Sequence, residues 1–192
     1  MRNFSSRQIN ILKKRYKQDG FVKVKNLLSK KEINQIKSSL FEFIENNSKS
    51  LSGRDVSFVK NSKIINSIHN LKKWNLVKRI QNNYQIKKLA KNMIGEKIQN
   101  FGAELFAKPA KKGLQTPIHQ DNHYWHIQTE KENFFPNGPG LTIWIALEKS
   151  TKRNGAVFYF KKSHQVGLLE HIFLKKKTGL SQELKHKNLL RL

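Results

Sequence analysis

The hydrophobic period of the chain changes near residue 96, and that change most narrows what it can fold into. Before it, apolar residues recur at helical spacing; after it, they gather into short runs broken by turn residues. In the first part Ile9, Leu12 and Tyr16 share a helix face, and Gly20 follows where a helix closes with a left-handed residue. Residues 21–25 read as a short extended run. Ser29 and Glu32 form a capping-box pair, because a serine hydroxyl takes the free backbone amide three residues on while the glutamate reaches back. The helix they open places Ile33, Ile36, Leu40, Phe43 and Ile44 on one face. Residues 46–53, rich in Asn, Ser and Gly, form a loop. Three more short helices are expected: around Ile64, Ile65 and Ile68; around Trp74, Val77 and Ile80; and around Ile86, Leu89 and Met93, with Gly95 closing the last.

The second part reads differently. Residues 98–108 are a candidate strand and residues 109–117 a loop. Residues 141–147 are a compact apolar run between Gly138-Pro139-Gly140 and a polar turn, and Asn154-Gly155 is a hairpin signal before residues 156–160. Helices first and strands afterwards imply an α+β arrangement with an antiparallel sheet. A single domain is expected over 1–192, helical over about 1–96 and stranded over about 97–192.

Composition removes several chemistries. The 192 residues include no cysteine, which excludes a disulfide scaffold, a thiolate zinc site and a thiol nucleophile. The first residues carry no apolar run of signal-peptide length, and no stretch approaches the ~18 apolar residues of a membrane span. A cytoplasmic location is therefore the expectation. The net charge of +25 has two readings. One is a nucleic-acid or anionic-lipid partner. The other is a solvated surface on which lysine has replaced other polar residues. Because the lysines are scattered rather than packed into one tract, the surface reading is favoured over a nucleic-acid partner. Nothing in the pattern sets an oligomeric state.

The segment that carries chemistry is Pro117-Ile118-His119-Gln120-Asp121. If it is extended, residues two apart face the same side, so His119 and Asp121 aim an imidazole and a carboxylate at one point. Those are two of the three donors in the 2-His-1-carboxylate triad of non-haem Fe(II) oxygenases. With seven histidines and three aspartates in 192 residues, about 0.1 such pairs arise by chance. The spacing alone is thus equally a surface loop whose His and Asp only hydrogen-bond.

The surrounding residues narrow this. The stretch 20–29 (GFVKVKNLLS), the stretch 104–110 (ELFAKPA), the motif 117–125 (PIHQDNHYW), the apolar run 141–147 (LTIWIAL), Asn154-Gly155-Ala156 and the segment 163–171 (SHQVGLLEH) occur in this order. Together they resemble the phytanoyl-CoA dioxygenase family over most of the chain. The resemblance implies a double-stranded β-helix (jelly-roll, cupin-like) core with helices packed outside it. It implies iron held by His119 and Asp121, and 2-oxoglutarate as co-substrate. Trp144 matches a position lining the 2-oxoglutarate pocket and His171 a histidine near the active site. Each also has a plainer reading: Trp144 as a core aromatic, His164 and His171 as loop histidines, Lys108 as either an anion partner or a solvated strand-end lysine. His123 and His126 lie close enough in sequence to contact a substrate, or to be surface residues.

The sequence also departs from the family. There the third iron ligand is a histidine well beyond the Ser-His segment, followed by an arginine that grips the far carboxylate of 2-oxoglutarate. His186 and Arg191 come too soon for those roles, and Lys161-Lys162 replaces the family's Pro-Gly. The expectation is a C-terminally truncated or degenerate member whose jelly roll lacks its last strands. Its function would be 2-oxoglutarate-dependent hydroxylation of a small or acyl-type substrate, and the isolated chain would be inactive for want of the distal histidine and arginine. The alternative is a basic, non-catalytic protein that binds nucleic acid or anionic lipid.

Overall fold

A computed structural model of the chain describes residues 2–47, 49–52, 55–59, 61–69, 71, 74–113, 115–125, 140–174, 182–185 and 187. The order of its main elements is α1 (Ser6–Asp19), α2 (Lys30–Asn47), β1 (Val56–Phe58), β2 (Ile65–Ile68), α3 (Asn75–Gln81), α4 (Tyr84–Ile94), β3 (Leu105–Phe106), β4 (His171–Phe173) and β5 (Gln182–Leu184).

The helices start and stop where their side chains dictate. Ser5 caps α1 by accepting from the Gln8 amide, with the Gln8 side chain returning to the Ser5 amide. Gly20 ends α1 at φ 84, and its N–H donates to the Tyr16 carbonyl. At α2 the Ser29 hydroxyl accepts from the Glu32 amide at 3.2 Å, and the Ser29 amide donates to the Glu32 carboxylate at 2.8 Å. Asn83 caps α4 through the Gln85 amide.

Two apolar clusters fix these elements. The larger joins Ile36, Leu40 and Phe43 of α2 to Val56, Ile68, Leu71, Trp74 and Val77. In it the Trp74 indole N–H donates to Ser39 Oγ at 3.1 Å, so the ring is buried without an orphaned donor. The smaller joins Phe4 and Ile9 to Leu89, flanked by Leu12, Val24, Leu27 and Met93, and it locks α1 to α4.

The strands differ from the expectation. Ile65 and Ile68 belong not to a helix but to β2, with Ile64 just before it, and β2 pairs antiparallel with β1 on one edge and β3 on the other. As the central strand, β2 buries Asn66, Ser67 and Ile68 together. Burial on both faces erases the alternation that identifies a strand in sequence. Only Leu105–Phe106 of residues 98–108 forms a ladder. Neither 141–147 nor 156–160 is in a ladder, since an apolar run becomes a strand only where a partner edge accepts its backbone. Asn154-Gly155 closes a 3-10 turn over Lys152–Asn154, with Gly155 at φ 87, rather than a hairpin. Mixed helix and antiparallel sheet is therefore correct. Among the described residues the sheets have three and two strands, and they form no closed jelly roll.

Candidate metal centre

The motif at 117–121 forms no strand: the chain bends at Ile118, and residues 121–125 are helical. The local conformation thus departs from a simple strand, yet the two side chains still converge. His119 Nε2 lies 3.2 Å from Asp121 Oδ1. His119 Nδ1 is 2.8 Å from the Pro117 carbonyl, to which it donates, so Nε2 is the nitrogen left to face Asp121. The other carboxylate oxygen, Asp121 Oδ2, accepts from the Thr142 hydroxyl at 2.5 Å. The His119 side chain is 25% exposed and that of Asp121 45%.

The electrostatics follow from this pairing. Burial alone would depress the His119 pKa. The hydrogen bond to Asp121, aided by the Pro117 carbonyl, outweighs it and raises the imidazole above its ordinary value. The hydrogen bond from His119 holds the Asp121 carboxyl below its usual range against the opposing effect of burial, with Thr142 assisting.

That geometry fits a metal. Two donors each about 2.1 Å from one ion and about 90° apart around it are separated by about 3.0 Å, close to the distance seen. Among the described residues no third His, Asp, Glu or Cys joins them to make a cluster of three.

The loop is held from behind by the last two strands. The Leu184 amide donates to the Ile118 carbonyl at 2.8 Å. The Gln120 side chain spans the gap to the approach of β4, donating to the Gly167 carbonyl at 2.8 Å and accepting from the Leu169 amide at 2.8 Å. Its backbone N–H donates to His171 Nε2 at 3.1 Å, while His171 Nδ1 lies 2.8 Å from the Leu169 carbonyl. His171 therefore stands directly behind the metal loop, with both ring nitrogens used. His123 stacks on His171 with centroids 3.9 Å apart, and His123 Nε2 meets Gln182 Oε1 at 2.5 Å. The Tyr124 hydroxyl donates to the Gln182 carbonyl at 2.7 Å.

Trp144 follows Thr142 by two residues and is 44% exposed, so it is not the buried core aromatic that an apolar strand would make it. His164 lies elsewhere, its Nε2 3.0 Å from the Lys17 carbonyl at the end of α1. His126, His186 and Arg191 fall outside the described residues. Sequence reading missed Thr142 and Gln182, since polar residues that contact the site from distant segments leave no local spacing to detect. Gln120 had a usable signal: lying between two ligands, it must face away from them, toward whatever supports the loop.

Residues 16–185 match the family model described as phytanoyl-CoA dioxygenase. The chain is 24% identical over 191 residues to "Phytanoyl-CoA dioxygenase, peroxisomal" of Bos taurus, covering 92% of this chain and 55% of that protein. It is 24% identical over 181 residues to the protein of the same name from Homo sapiens, covering 88% and 52%. For the Mus musculus protein the figures are 25% over 182 residues, 88% and 52%. The chain thus spans about half the length of the curated relatives it matches.

Proposed function

The chain belongs to the phytanoyl-CoA dioxygenase family, and from that premise we propose that it serves a non-haem Fe(II)- and 2-oxoglutarate-dependent oxygenase reaction on a small or acyl-type organic substrate. The observation that carries this reading is the 3.2 Å approach of His119 Nε2 to Asp121 Oδ1, in a loop anchored on its far side by Gln120 and His171. When bound there, Fe(II) with 2-oxoglutarate and dioxygen supplies the oxidising chemistry of hydroxylation.

The chain's own residues have separate tasks. His119 and Asp121 hold the cation. Pro117 fixes the His119 tautomer, and Thr142 orients the Asp121 carboxylate and occupies its second oxygen. Trp144 is assigned to the border of the co-substrate, as the family resemblance implies, whereas His171, which accepts from the Gln120 amide, supports the loop from behind. The described residues provide two of the donors, His119 and Asp121. A peroxisomal setting is part of the names of the relatives. For this chain, no helix among the described residues is long and apolar enough to cross a membrane.

The test is an anaerobic Fe(II) titration of the wild type, His119→Ala and Asp121→Ala. The expected result is uptake by the wild type that falls by on the order of a hundredfold in each variant. That is the upper end of what removing a hydrogen-bond partner of a ligand costs, and these variants remove the donors themselves. Equal uptake by all three would remove the metal from this site.

A further inference from the structure

Positive charge is most one-sided at the start of the chain. The first 31 residues hold ten lysines and arginines against one acid, Asp19, whereas the whole chain holds 38 against 13. The fold turns that excess into a face. α1 packs Ile9 and Leu12 inward, with Leu89 and Met93 of α4, and so turns Ile11 outward, where it is 46% exposed. One helical turn to either side of Ile11 stand Arg7, Lys14 and Arg15, all exposed. The exposed Phe41 of α2 is set differently, with the acid Glu45 one turn on.

Ile11 also borders an open cleft of about 150 Å³ between α1 and residues 24–25. Phe4, Ile11, Leu12 and Val24 wall it, and its two charged lining residues, Arg2 and Lys25, are both exposed cations. The cleft is held open by its own backbone. The Arg2 amide donates to the Leu27 carbonyl at 2.8 Å, and Arg2 Nη1 to the Lys25 carbonyl at 3.4 Å. The Arg2 guanidinium stands 5.3 Å from the centre of the Phe4 ring, and Asn26 turns the chain at φ 56.

We propose that this face of α1, with Ile11 and the adjoining cleft at its centre, docks on the surface of an anionic lipid bilayer. Arg2, Arg7, Lys14, Arg15 and Lys25 meet the headgroups, while Ile11 and the cleft walls meet the acyl chains beneath. Charge alone suits any polyanion. The apolar centre selects lipid, because aliphatic surface gains by leaving water for acyl chains, and a nucleic-acid backbone offers no apolar layer at that depth. α1 lies on the surface rather than crossing it, since no helix among the described residues is long and apolar enough to span a membrane. The inference does not depend on the metal loop.

The experiment is co-sedimentation of the full chain with phosphatidylcholine vesicles and with mixed phosphatidylcholine–phosphatidylserine vesicles. The variants are Arg7→Gln/Arg15→Gln, Ile11→Gln and, as a control of equal charge, Lys152→Gln/Arg153→Gln in an exposed turn. The wild type is expected to bind the mixed vesicles and not the neutral ones. Arg7→Gln/Arg15→Gln is expected to weaken that binding on the order of twentyfold, about fivefold for each cation near an anionic surface. Ile11→Gln, which leaves the charge unchanged, is expected to weaken it about fivefold, and the control less than twofold. No binding of the wild type to the mixed vesicles overturns the proposal. So does an equal loss in the two double variants, which would trace the binding to overall charge. Ile11→Gln binding as well as the wild type also overturns it. A short DNA duplex, titrated in parallel, is expected to bind wild type and Ile11→Gln alike; tighter binding of the wild type to the duplex than to the mixed vesicles would assign the face to nucleic acid and overturn the proposal.

Discussion

At the scale of single residues, Gln120 shows how a side chain between the two proposed ligands serves the loop from its far side. Its amide makes two hydrogen bonds to the backbone that approaches β4, at Gly167 and Leu169. Gln120→Ala strips a donor and an acceptor from these partners. The exposed Gly167 carbonyl turns to water, while the buried Leu169 amide is left unmet, at about 1 kcal/mol. Urea denaturation is expected to show a loss of that order with an unchanged slope. Fe(II) affinity is expected to fall as well, since the loop loses its brace. A full loss of stability with metal affinity intact would mean that the brace and the site are independent. Thr142→Val tests the other side of the site. It keeps the shape and removes the hydroxyl on Asp121 Oδ2, so metal affinity is expected to drop about tenfold with little change in stability.

At the scale of elements, the end of α1 meets the segment at 159–165. His164 contacts the Lys17 carbonyl, the Lys162 amide donates to the Asp19 carbonyl at 2.9 Å, and Phe21 stacks on Tyr159 at 5.2 Å. Gly20 is the hinge of this contact: φ is 84, and an added Cβ would sit 2.4 Å from His164 Nδ1. Gly20→Ala is therefore expected to cost more than about 1 kcal/mol from backbone conformation alone, with the collision added. In a His164→Ala background only the conformational part remains, so thermal denaturation of the double-mutant cycle is expected to show a positive coupling. A zero coupling would separate the two segments. A second contact ties the edges of β2 and β3, where His69 Nδ1 lies 3.6 Å from Glu104 Oε2. The hydrogen bond to Glu104 raises the His69 pKa against the effect of burial. A raised folded-state pKa adds stability that is complete below the unfolded value of about 6.5 and is lost as pH rises through the folded value. Relative to Glu104→Gln, the wild type is expected to be the more stable below about pH 6.5, by less than about 1 kcal/mol because both groups are well exposed.

These elements also show what sequence alone conveys. Gly20, the Ser29–Glu32 box and Gly95 mark helix ends correctly, because caps are local chemistry between residues a turn apart. Ile64, Ile65 and Ile68 mislead, because their spacing satisfies a helix face, while the strand that holds Ile65 and Ile68 is buried on both faces through Asn66, Ser67 and Ile68 and so shows no alternation. The convergence of His119 and Asp121 was legible from their one-residue spacing, although Asp121 opens a helical turn rather than continuing a strand. Its supports at Thr142, Gly167, Leu169 and Gln182 were not, since they arrive from residues 21 to 59 positions away.

At the scale of the whole molecule, charge is the dominant feature. A net charge of +25 on 192 residues repels itself in the compact state. Stability in urea is expected to rise between low salt and about 0.5 M NaCl, as the screening length shrinks toward a few ångströms. A fall over that range would mean that attractive pairs such as Lys37–Glu148 outweigh the repulsion. Metal adds to stability in a different way. An ion that binds only the folded chain raises stability by about 2.7 kcal/mol at a hundredfold excess over its dissociation constant. The thermal midpoint is therefore expected to climb with Fe(II) in the wild type and to stay flat in Asp121→Ala.

All of this converges on whether the His119 imidazole and the Asp121 carboxylate share one ion. Pulsed electron paramagnetic resonance of the Mn(II)-loaded chain reads that directly, because a nitrogen bound to the metal modulates the echo. A nitrogen coupling in the wild type that disappears in His119→Ala, with the bound ion itself lost in Asp121→Ala, is the outcome expected. A coupling that survives His119→Ala would place the metal elsewhere and contradict the assignment.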